Sequence, residues 1–332
     1  MQIKYIDGTR LHRAIQTGIN HVITRKDYLN KINVFPVPDG DTGTNMTFVL
    51  ATISEETKSN NNKRVSKVAD ASLNGARGNS GSILAQFFVG FADGIASFHR
   101  LTPGRFSQTI KTSKNYSYDT LSEPKEGTIL SVIADWAYAV KNIHETHNDF
   151  VMILDFAFEQ AQESLRKTQE KLAILKKSGV VDAGTQGFVD FLEGINHFIE
   201  KGEMDDVDTS TIAEPVDNFE MEIFDEFRYC TECLVAGNDI DRIKLKEQLM
   251  NLGANIVLAG SKKKAKIHIP ASVSGTMQSA TLAAGDTKDL PIDLIDSQNG
   301  SVGIGLIALR AAEAVKAELP KEEILKTRQK NW

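Results

Sequence analysis

The chain has 332 residues, of which 41% are apolar and 25% charged, the proportions of an ordinary globular protein long enough for two or three domains. A net charge of −6 gives no indication of a nucleic-acid partner, and two cysteines are too few for a disulfide framework. The sequence shows neither an apolar run near the roughly 20 residues that span a bilayer nor a signal-peptide pattern, so we expect a cytoplasmic protein without a transmembrane segment.

Apolar residues recur at helical spacing through residues 1–200, whereas strand-like alternation is scarce there. The first stripe follows Asp7, a residue type that caps helix N-termini. Amphipathic helices bury such stripes against one another, which predicts a helical bundle. The stripes comprise Leu11, Ile15, Ile19 and Val22; Ile83, Leu84, Phe87, Phe88, Phe91 and Ile95; Ile129, Ile133, Trp136, Val140 and Ile143; Leu154, Ala157, Ala161 and Leu165; and Phe188, Phe191, Leu192 and Ile195.

The run PDGDTGTNM at residues 38–46 combines carboxylates with small polar residues. Asp39 and Asp41 supply the hard oxygen ligands that Mg²⁺ prefers, and Thr42, Thr44 and Asn45 add donors suited to phosphate oxygens. An acidic surface turn is the alternative, because Asp-Gly pairs are common in turns. The apolar, proline-stiffened approach at residues 33–38 favours a metal–nucleotide site, and with it a phosphoryl-transfer enzyme.

Three further glycine-containing loops each lead directly into a predicted helix. Their sequences are NGARGNSGS at 74–82, EGT at 126–128 and VDAGTQG at 181–187. Backbone N–H groups at helix N-termini bind anions, so we expect these helix ends to converge on one phosphate-bearing ligand. Flexible inter-helix loops are the alternative, and no Walker A sequence GxxxxGK[ST] is present.

The pattern changes after residue 200. Residues 201–218 are acidic and contain proline, which predicts a linker. Strand-like stretches at 229–235, 255–258 and 266–269, with a helical stretch at 244–252, predict a small α/β domain over residues 219–270. A strand at 292–295 and a helix at 303–319 are expected in the remaining part, residues 271–332.

The N-terminal motifs together resemble the ATP-binding subunit of bacterial fatty-acid kinase, whose first domain is related to the L subunit of dihydroxyacetone kinase. The resemblance is carried by YIDG at 5–8, by LNKINVFPVPDGDTGTNM at 29–46, and by segments at 74–81, 126–130 and 167–184 that follow in the same order. It implies a multidomain protein with an all-α, eight-helix antiparallel barrel over residues 1–200. That barrel would hold Mg–ATP at its mouth, and smaller α/β regions would follow it.

The resemblance also implies roles for individual residues. Asp39 and Asp41 would hold the Mg²⁺ ions, and the amide of Asn33 stands where the dihydroxyacetone branch has a third carboxylate. Thr44, Asn45, Ser80 and Gly81 would contact phosphates, and Gly127, Thr128 and Asp182 would lie near the nucleotide.

The activity implied by the resemblance is transfer of a phosphoryl group from ATP to a fatty-acid carboxylate, which yields an acyl phosphate. A carboxylate is deprotonated at neutral pH, so no strong general base is required. The alternatives are a kinase of dihydroxyacetone or a similar polyol, and a nucleotide-binding regulatory protein without turnover. Oligomeric state stays open, with a homodimer the commonest case.

Residues 228–232 (RYCTE) and 266–268 (KIH) resemble the middle domain of the same family, in which a cysteine and two histidines look like a zinc site. Here Pro270 replaces the second histidine, and Cys233 is the candidate for the missing ligand beside Cys230 and His268. Three ligands are one fewer than a structural zinc site normally has. Two buried thiols and a hydrogen-bonded histidine are therefore the alternative interpretation.

Residues 271–280 (ASVSGTMQSA) and 295–305 (IDSQNGSVGIG) resemble part of the DegV-like fatty-acid-binding proteins, which present a fatty acid to this kinase. The resemblance implies a fatty-acid carrier, either in this chain or as a separate partner. Tethering a carrier to its kinase raises the effective concentration of the acceptor. Only about 60 residues match, and the join at residues 268–271 suggests that a segment is missing.

Overall fold

The structure, a computed structural model, describes residues 2–36, 38–58, 64–96, 98, 100–202, 231–237, 240–250, 256–262 and 264–269. Residues 2–202 are almost entirely helical within these ranges. The helices are α1 (Gly8–Thr24), α2 (Lys26–Lys31), α3 (Thr42–Thr57), α4 (Arg64–Gly75), α5 (Gly78–Ile95), α6 (Pro103–Tyr118), α7 (Ile129–His144), α8 (Phe150–Lys171), α9 (Ala173–Ser178) and α10 (Ala183–Lys201). Two-residue strands β1 (Ile6–Asp7) and β2 (Arg100–Leu101) pair antiparallel.

Every apolar stripe identified in the sequence lies on one of these helices. Asp7 caps α1 as predicted, because its carboxylate accepts a hydrogen bond from the Arg10 N–H at 2.8 Å. The stripes converge on a single core whose centre is aromatic, with edge-to-face contacts such as Phe88–Phe191 at 5.4 Å between ring centroids. The aromatic members are Phe87, Phe88, Phe91, Phe106, Trp136, Phe150, Phe188 and Phe191.

Eight helices close into a ring around this core, while α2 and α9, of six residues each, lie in connections. Going around, each of α1, α3, α4, α5, α6, α7, α8 and α10 contacts the next, and α10 contacts α1. The predicted eight-helix barrel is therefore confirmed. In this ring α3, α5, α7 and α10 are alternate members, so in an up-and-down arrangement their N-termini meet at one end.

A smaller α/β unit follows, and the predicted fold class is confirmed here too. It contains β3 (Thr231–Ala236), α11 (Arg242–Met250), β4 (Val257–Gly260) and β5 (Lys264–Ile269). The three strands form an antiparallel sheet in the order β3–β5–β4. Each strand lies within two residues of its predicted position, and so do the ends of α11.

Several predictions fall outside the described residues. These are the linker at 201–218 beyond Gly202, the strand at 292–295, the helix at 303–319 and the DegV-like segment at 271–332. The domain boundaries at 200, 218 and 270 stay predictions. Among the helices that the structure describes, none is both long and apolar enough to cross a bilayer.

Candidate nucleotide and metal site

The two carboxylates of the run at 38–46 lie exposed at the end of the barrel where α3 begins. Gly40 adopts a left-handed conformation with φ of 67°, which lets the chain turn between Asp39 and Asp41. Asn33, only 4% exposed, donates from Nδ2 to Asp39 Oδ1 at 2.5 Å. Asp41 stands at the N-cap of α3 without using its side chain to cap the helix. Both aspartates thus face solvent at the mouth, and one is oriented by a buried amide.

A second asparagine, Asn30 of α2, fixes the first turn of α3. Its Oδ1 accepts from the Thr44 N–H at 3.0 Å, and its Nδ2 donates to Thr44 Oγ1 at 2.9 Å. The two helices approach so closely that a Cβ on Gly43 would collide with the Lys26 carbonyl oxygen. Sequence reasoning missed Asn30, because its partner lies 14 residues away and no local pattern joins them.

The first turn of α3 packs against the glycine loop that opens α5. A Cβ on Gly78 would lie 2.6 Å from Asn45 Nδ2, and one on Gly81 would lie 3.2 Å from the Asn45 carbonyl oxygen. Arg77, the N-cap of α5, stacks its guanidinium on the Phe48 ring of α3 at 3.7 Å. The predicted phosphate residues of these two loops are therefore neighbours in space, with a cation beside them.

The other two loops, before α7 and α10, meet each other and the α5 loop. Thr128 is the N-cap of α7, and Gly127 before it has φ of 82° and donates its N–H to Ser131 Oγ at 2.9 Å. A Cβ on Gly184 would lie 3.6 Å from Ile129 Cβ and 3.7 Å from Ser80 Cβ. The start of α10 therefore touches both α7 and the α5 loop, and the predicted convergence of four helix N-termini is observed.

Asp182 lies at this junction as a buried helix cap. Its Oδ1 accepts from the Thr185 N–H at 2.8 Å and from Thr185 Oγ1 at 2.7 Å, and the Ile129 N–H also bonds to the carboxyl group. Burial raises the pKa of Asp182, opposed by these three hydrogen bonds. An aspartate directly before an apolar helix is a recognised N-cap signal, so the sequence did contain a pattern that indicates this role.

The assembled mouth has the properties of an anion site. None of the first turns of α3, α5, α7 and α10 contains an acidic residue, but the Asp182 carboxyl group already accepts N–H groups of α10 and α7. The N-termini of α3 and α5 have no side-chain cap, so their partial positive charge is available to an anion. Helix N-termini bind anions through such N–H groups. Asp39 and Asp41 lie directly before α3, which is where carboxylates would hold a divalent cation next to an anion bound at that helix end.

Two buried oxygens test whether these residues fit a metal–nucleotide ligand. Asn33 Oδ1 and Asn79 Oδ1 have no hydrogen-bond partner among the residues that the structure describes. Buried polar atoms are nearly always paired, so these two oxygens have capacity for a bound group beside them. Asn33 Oδ1 belongs to the side chain that orients Asp39, and Asn79 lies in the α5 loop. The donor set fits a hard cation next to a phosphate.

The predicted zinc ligands are not brought together in the described residues. Cys230 lies outside them. Cys233 is paired across the β3–β5 ladder with Ile267, and His268 with Glu232. Directly paired residues share a face and successive residues alternate, so Cys233 and His268 occupy positions on opposite faces of the sheet. In the part of the chain that the structure describes, no cluster of three or more potential metal-binding histidine, cysteine or carboxylate residues occurs.

Comparison with known proteins agrees with this architecture. The chain matches the DAK2 domain over residues 36–197 and the FakA-like middle domain of fatty acid kinase over residues 226–302. These two matches, in this order, confirm the resemblance to the ATP-binding subunit of bacterial fatty-acid kinase. The DAK2 match includes Asp39, Asp41 and the three glycine loops, and the middle-domain match runs through the join at 268–271.

Similar proteins include YloV of Bacillus subtilis, 30% identical over 319 residues, and the uncharacterized protein SH1689 of Staphylococcus haemolyticus, 28% identical over 315 residues. These alignments cover 91% and 90% of this chain but only 58% and 57% of the relatives. The chain thus spans little more than half the length of these relatives. The dihydroxyacetone kinase of C. freundii, solved with AMP-PNP and Mg²⁺, has a TM-score of 0.42 and 13% identity, covering 59% of this chain and 35% of its own.

Proposed function

We propose that the DAK2 domain of this chain binds Mg–ATP and transfers the terminal phosphoryl group to a fatty-acid carboxylate. The observation that carries the proposal is the position of Asp39 and Asp41 beside four converging helix N-termini whose first turns contain no acidic residue. A phosphate chain needs the helix N-termini, and its divalent cation needs the carboxylates. The carboxylates alone do not distinguish a nucleotide site from a surface turn, and the helix N-termini alone do not distinguish it from ordinary helix ends.

The side chains divide the work of binding. Asp39, Asp41 and the unpartnered Asn33 Oδ1 would hold Mg²⁺, and the first turns of α3 and α5, with Thr42, Thr44, Asn45, Ser80 and Gly81, would hold phosphate oxygens. The bound cation supplies positive charge that offsets the charge on the transferring group. Asn30 keeps Thr44 in position, and the Asn33 amide keeps Asp39 turned towards the mouth. Gly127 and Thr128 shape the far wall.

A fatty-acid acceptor is supported by the middle-domain match, which is to a domain of fatty acid kinase. An oxygen of the fatty-acid carboxylate would attack the γ-phosphorus of ATP. The bond between that phosphorus and the β–γ bridging oxygen would break, and ADP would leave with the bonding electron pair. The acceptor is already deprotonated at neutral pH, so the site needs no general base, and the glycine loops that form it contain no histidine. We further propose that a DegV-like carrier presents the lipid, in this chain or as a separate protein.

The test is the formation of an acyl phosphate. The protein is incubated with ATP, Mg²⁺, oleate and a DegV-like carrier, and the product is trapped with hydroxylamine. We expect a hydroxamate from the wild type, none from Asp41→Asn, and a normal yield from Asp27→Asn. Asp27 is the matched control because its side chain is 94% exposed on α2 and because it is not one of the residues proposed to bind metal or phosphate.

Other outcomes assign other functions. Phosphorylation of dihydroxyacetone without any hydroxamate would replace the fatty-acid acceptor with a polyol. Tight binding of Mg–AMP-PNP without turnover of any acceptor would indicate a regulatory nucleotide-binding protein. A normal yield from Asp41→Asn would refute the metal assignment itself.

A further inference from the structure

The α/β unit is joined to the barrel by backbone pairing. Its edge strand β4 lies against residues 119–122, which follow α6, and Leu121 forms an antiparallel bridge with Val257. The Leu258 N–H donates to the Thr120 carbonyl oxygen at 2.9 Å, and the Ser122 N–H donates to the Ile256 carbonyl oxygen at 3.2 Å. Residues 119–122 therefore act as an additional short strand on the sheet β3–β5–β4.

Lys246 of α11 holds the same residues from a second direction. Its Nζ donates to the carbonyl oxygens of Asp119 at 2.7 Å and Leu121 at 2.6 Å. Burial lowers the pKa of Lys246, as expected for an ammonium group taken out of water at a contact between two units. One helical turn earlier, Arg242 stacks on the ring of Tyr116 in α6 at 4.5 Å. Helix α11 thus contacts both the end of α6 and residues 119–122, which follow α6.

A third connection joins β4 to α5, the helix that begins in the glycine loop at residues 74–82. Gln86 of α5 is fully buried, and its amide makes two hydrogen bonds with one residue of β4. Gln86 Nε2 donates to the Gly260 carbonyl oxygen at 3.2 Å, and Gln86 Oε1 accepts from the Gly260 N–H at 2.7 Å. Gln86 lies about 12 Å along the helix axis from Gly78, given a rise of about 1.5 Å per residue.

The docked residues continue directly into the loop that forms one wall of the mouth. We refer to residues 119–128 as the bridge segment. Lys125 Nζ lies 5.8 Å from the centre of the Phe35 ring, on the approach to Asp39. Glu126 Oε2 accepts from Ser131 Oγ at 2.6 Å, and the same hydroxyl receives the Gly127 N–H. One stretch of ten residues therefore contacts the α/β unit at its start and both sides of the mouth at its end.

From these contacts we infer that the α/β unit positions the glycine loop at residues 126–128 of the barrel. Lys246 is a positioning residue that acts through the bridge segment. The inference rests on the proposed nucleotide site. Residues 123–126, between the docked part and Gly127, are exposed and include the long polar side chains of Glu123 and Lys125. Anchoring at 119–122 restricts the chain before Gly127 in the absence of a ligand, which lowers the entropy cost of binding.

The experiment uses the full chain in three variants. Lys246→Ala removes both hydrogen bonds to the bridge segment, and Lys246→Arg keeps a cation that can donate to both carbonyls. Lys244→Ala is the matched control, because Lys244 is an exposed lysine on the same helix. Hydrogen exchange of residues 119–128 is measured without nucleotide, and Kd is then measured for Mg–AMP-PNP, together with KM for ATP and kcat.

We expect Lys246→Ala to accelerate exchange at the Ser122 and Gly127 amides. If the loop is held in place in only about one fifth of the molecules, the Kd for Mg–AMP-PNP rises about fivefold. KM for ATP should rise with it while kcat is retained. In Lys246→Arg and in Lys244→Ala, the exchange rates and the Kd for Mg–AMP-PNP should match those of the wild type. A purely local structural role for Lys246 would change thermal stability without this split between KM and kcat.

Two results would overturn the inference. One is unchanged exchange in Lys246→Ala, which would show that the ammonium group does not hold the bridge segment. The other is faster exchange with unchanged Kd, which would show that the segment is docked but does not position the glycine loop at residues 126–128. Failure of the proposed function gives a different result. In that case the wild type binds no Mg–AMP-PNP, but hydrogen exchange measured without nucleotide still shows whether Lys246 holds residues 119–122.

Discussion

The segment at residues 33–41, which we propose holds Mg²⁺, and the region of α10 each contain two aspartates, but the two pairs differ in burial and in hydrogen bonding. Asp39 and Asp41 are exposed, and Asp41 does not use its carboxylate to cap α3. Asp182 and Asp190 of the α10 region are buried: Asp182 Oδ1 accepts from the Thr185 N–H, Asp190 Oδ1 accepts from Gln186 Nε2, and Asp190 Oδ2 lies 3.3 Å from Arg25 Nε. A carboxylate already bonded to backbone N–H groups has little capacity left for a cation. Residue type alone therefore does not separate a candidate metal ligand from a helix cap, whereas burial and backbone hydrogen bonds do.

Replacing aspartate by the isosteric asparagine in each region should distinguish a metal ligand, Asp39, from a helix cap, Asp182. Asp39→Asn removes a negative oxygen from the cation site, and we expect at least about a hundredfold loss of Mg²⁺-dependent AMP-PNP affinity. Asp182→Asn keeps the oxygen that caps α10, so we expect a loss below about tenfold. Titration calorimetry with and without Mg²⁺ measures both. Equal losses in the two variants would remove the distinction between the regions.

Truncation at Asp182 should cost stability instead. Asp182→Ala deletes the cap and leaves the buried N–H groups of Thr185 and Ile129 without an acceptor, so we expect a loss of about 3 kcal/mol in the free energy of unfolding. Asp182→Asn should lose less than about 1 kcal/mol because asparagine caps helices equally well. Urea unfolding monitored by circular dichroism gives both values. Alanine and asparagine variants of equal stability would contradict the cap assignment.

The buried Asp190 should make stability depend on pH. Burial raises its pKa from 3.8 to about 6, against the opposing effects of Gln186 and Arg25. The folded state then holds a proton that the unfolded state releases, so this residue's contribution falls as pH rises from about 4 to about 6. Two pK units correspond to nearly 3 kcal/mol, and relaxation near the half-exposed Arg25 reduces the expected change to about 2 kcal/mol.

Asp190→Asn should remove that slope. We expect the stability difference between variant and wild type to grow in favour of the variant between pH 4 and 6, as measured by urea unfolding at each pH. Asp27→Asn, at an exposed position, is the control and should show no such change. A difference that shrinks over this range would mean that Asp190 is ionised and stabilised by Arg25 throughout.

The smallest expected effect lies in the first turn of α3. Asn30→Ala deletes both hydrogen bonds to Thr44, at a cost of about 1 kcal/mol in the free energy of unfolding, since water can replace part of what is lost. Nucleotide affinity should fall as well, because the N–H groups of α3 are no longer held in place. Lys31→Ala, at the adjacent exposed position, is the control. An Asn30→Ala variant with normal affinity would show that α3 is ordered without this clamp.

Local chemistry made much of this protein predictable. Apolar spacing located α1, α5, α7, α8 and α10 because a stripe must face a core, but it did not indicate α3, α4 or α6. Asp39 and Asp41 predicted a cation site because two carboxylates lie within three residues. The glycine loops pointed to helix ends, and the strands of the α/β unit were placed within two residues. All of these features depend on neighbours in the sequence, which is why patterns reveal them.

Only the tertiary structure decided the remainder. Asn30 clamps Thr44 across 14 residues, Gln86 pairs with Gly260 across 174, and Lys246 reaches the bridge segment across 125 or more. No periodicity encodes such partners, because each depends on how the whole ring of helices packs. Asp182 is a mixed case: its place before an apolar helix marks it as a cap in the sequence, but its burial and its bond to the Ile129 N–H of α7 depend on the packed helices. Distance in the sequence, rather than weakness of the interaction, sets the limit of what the sequence alone reveals.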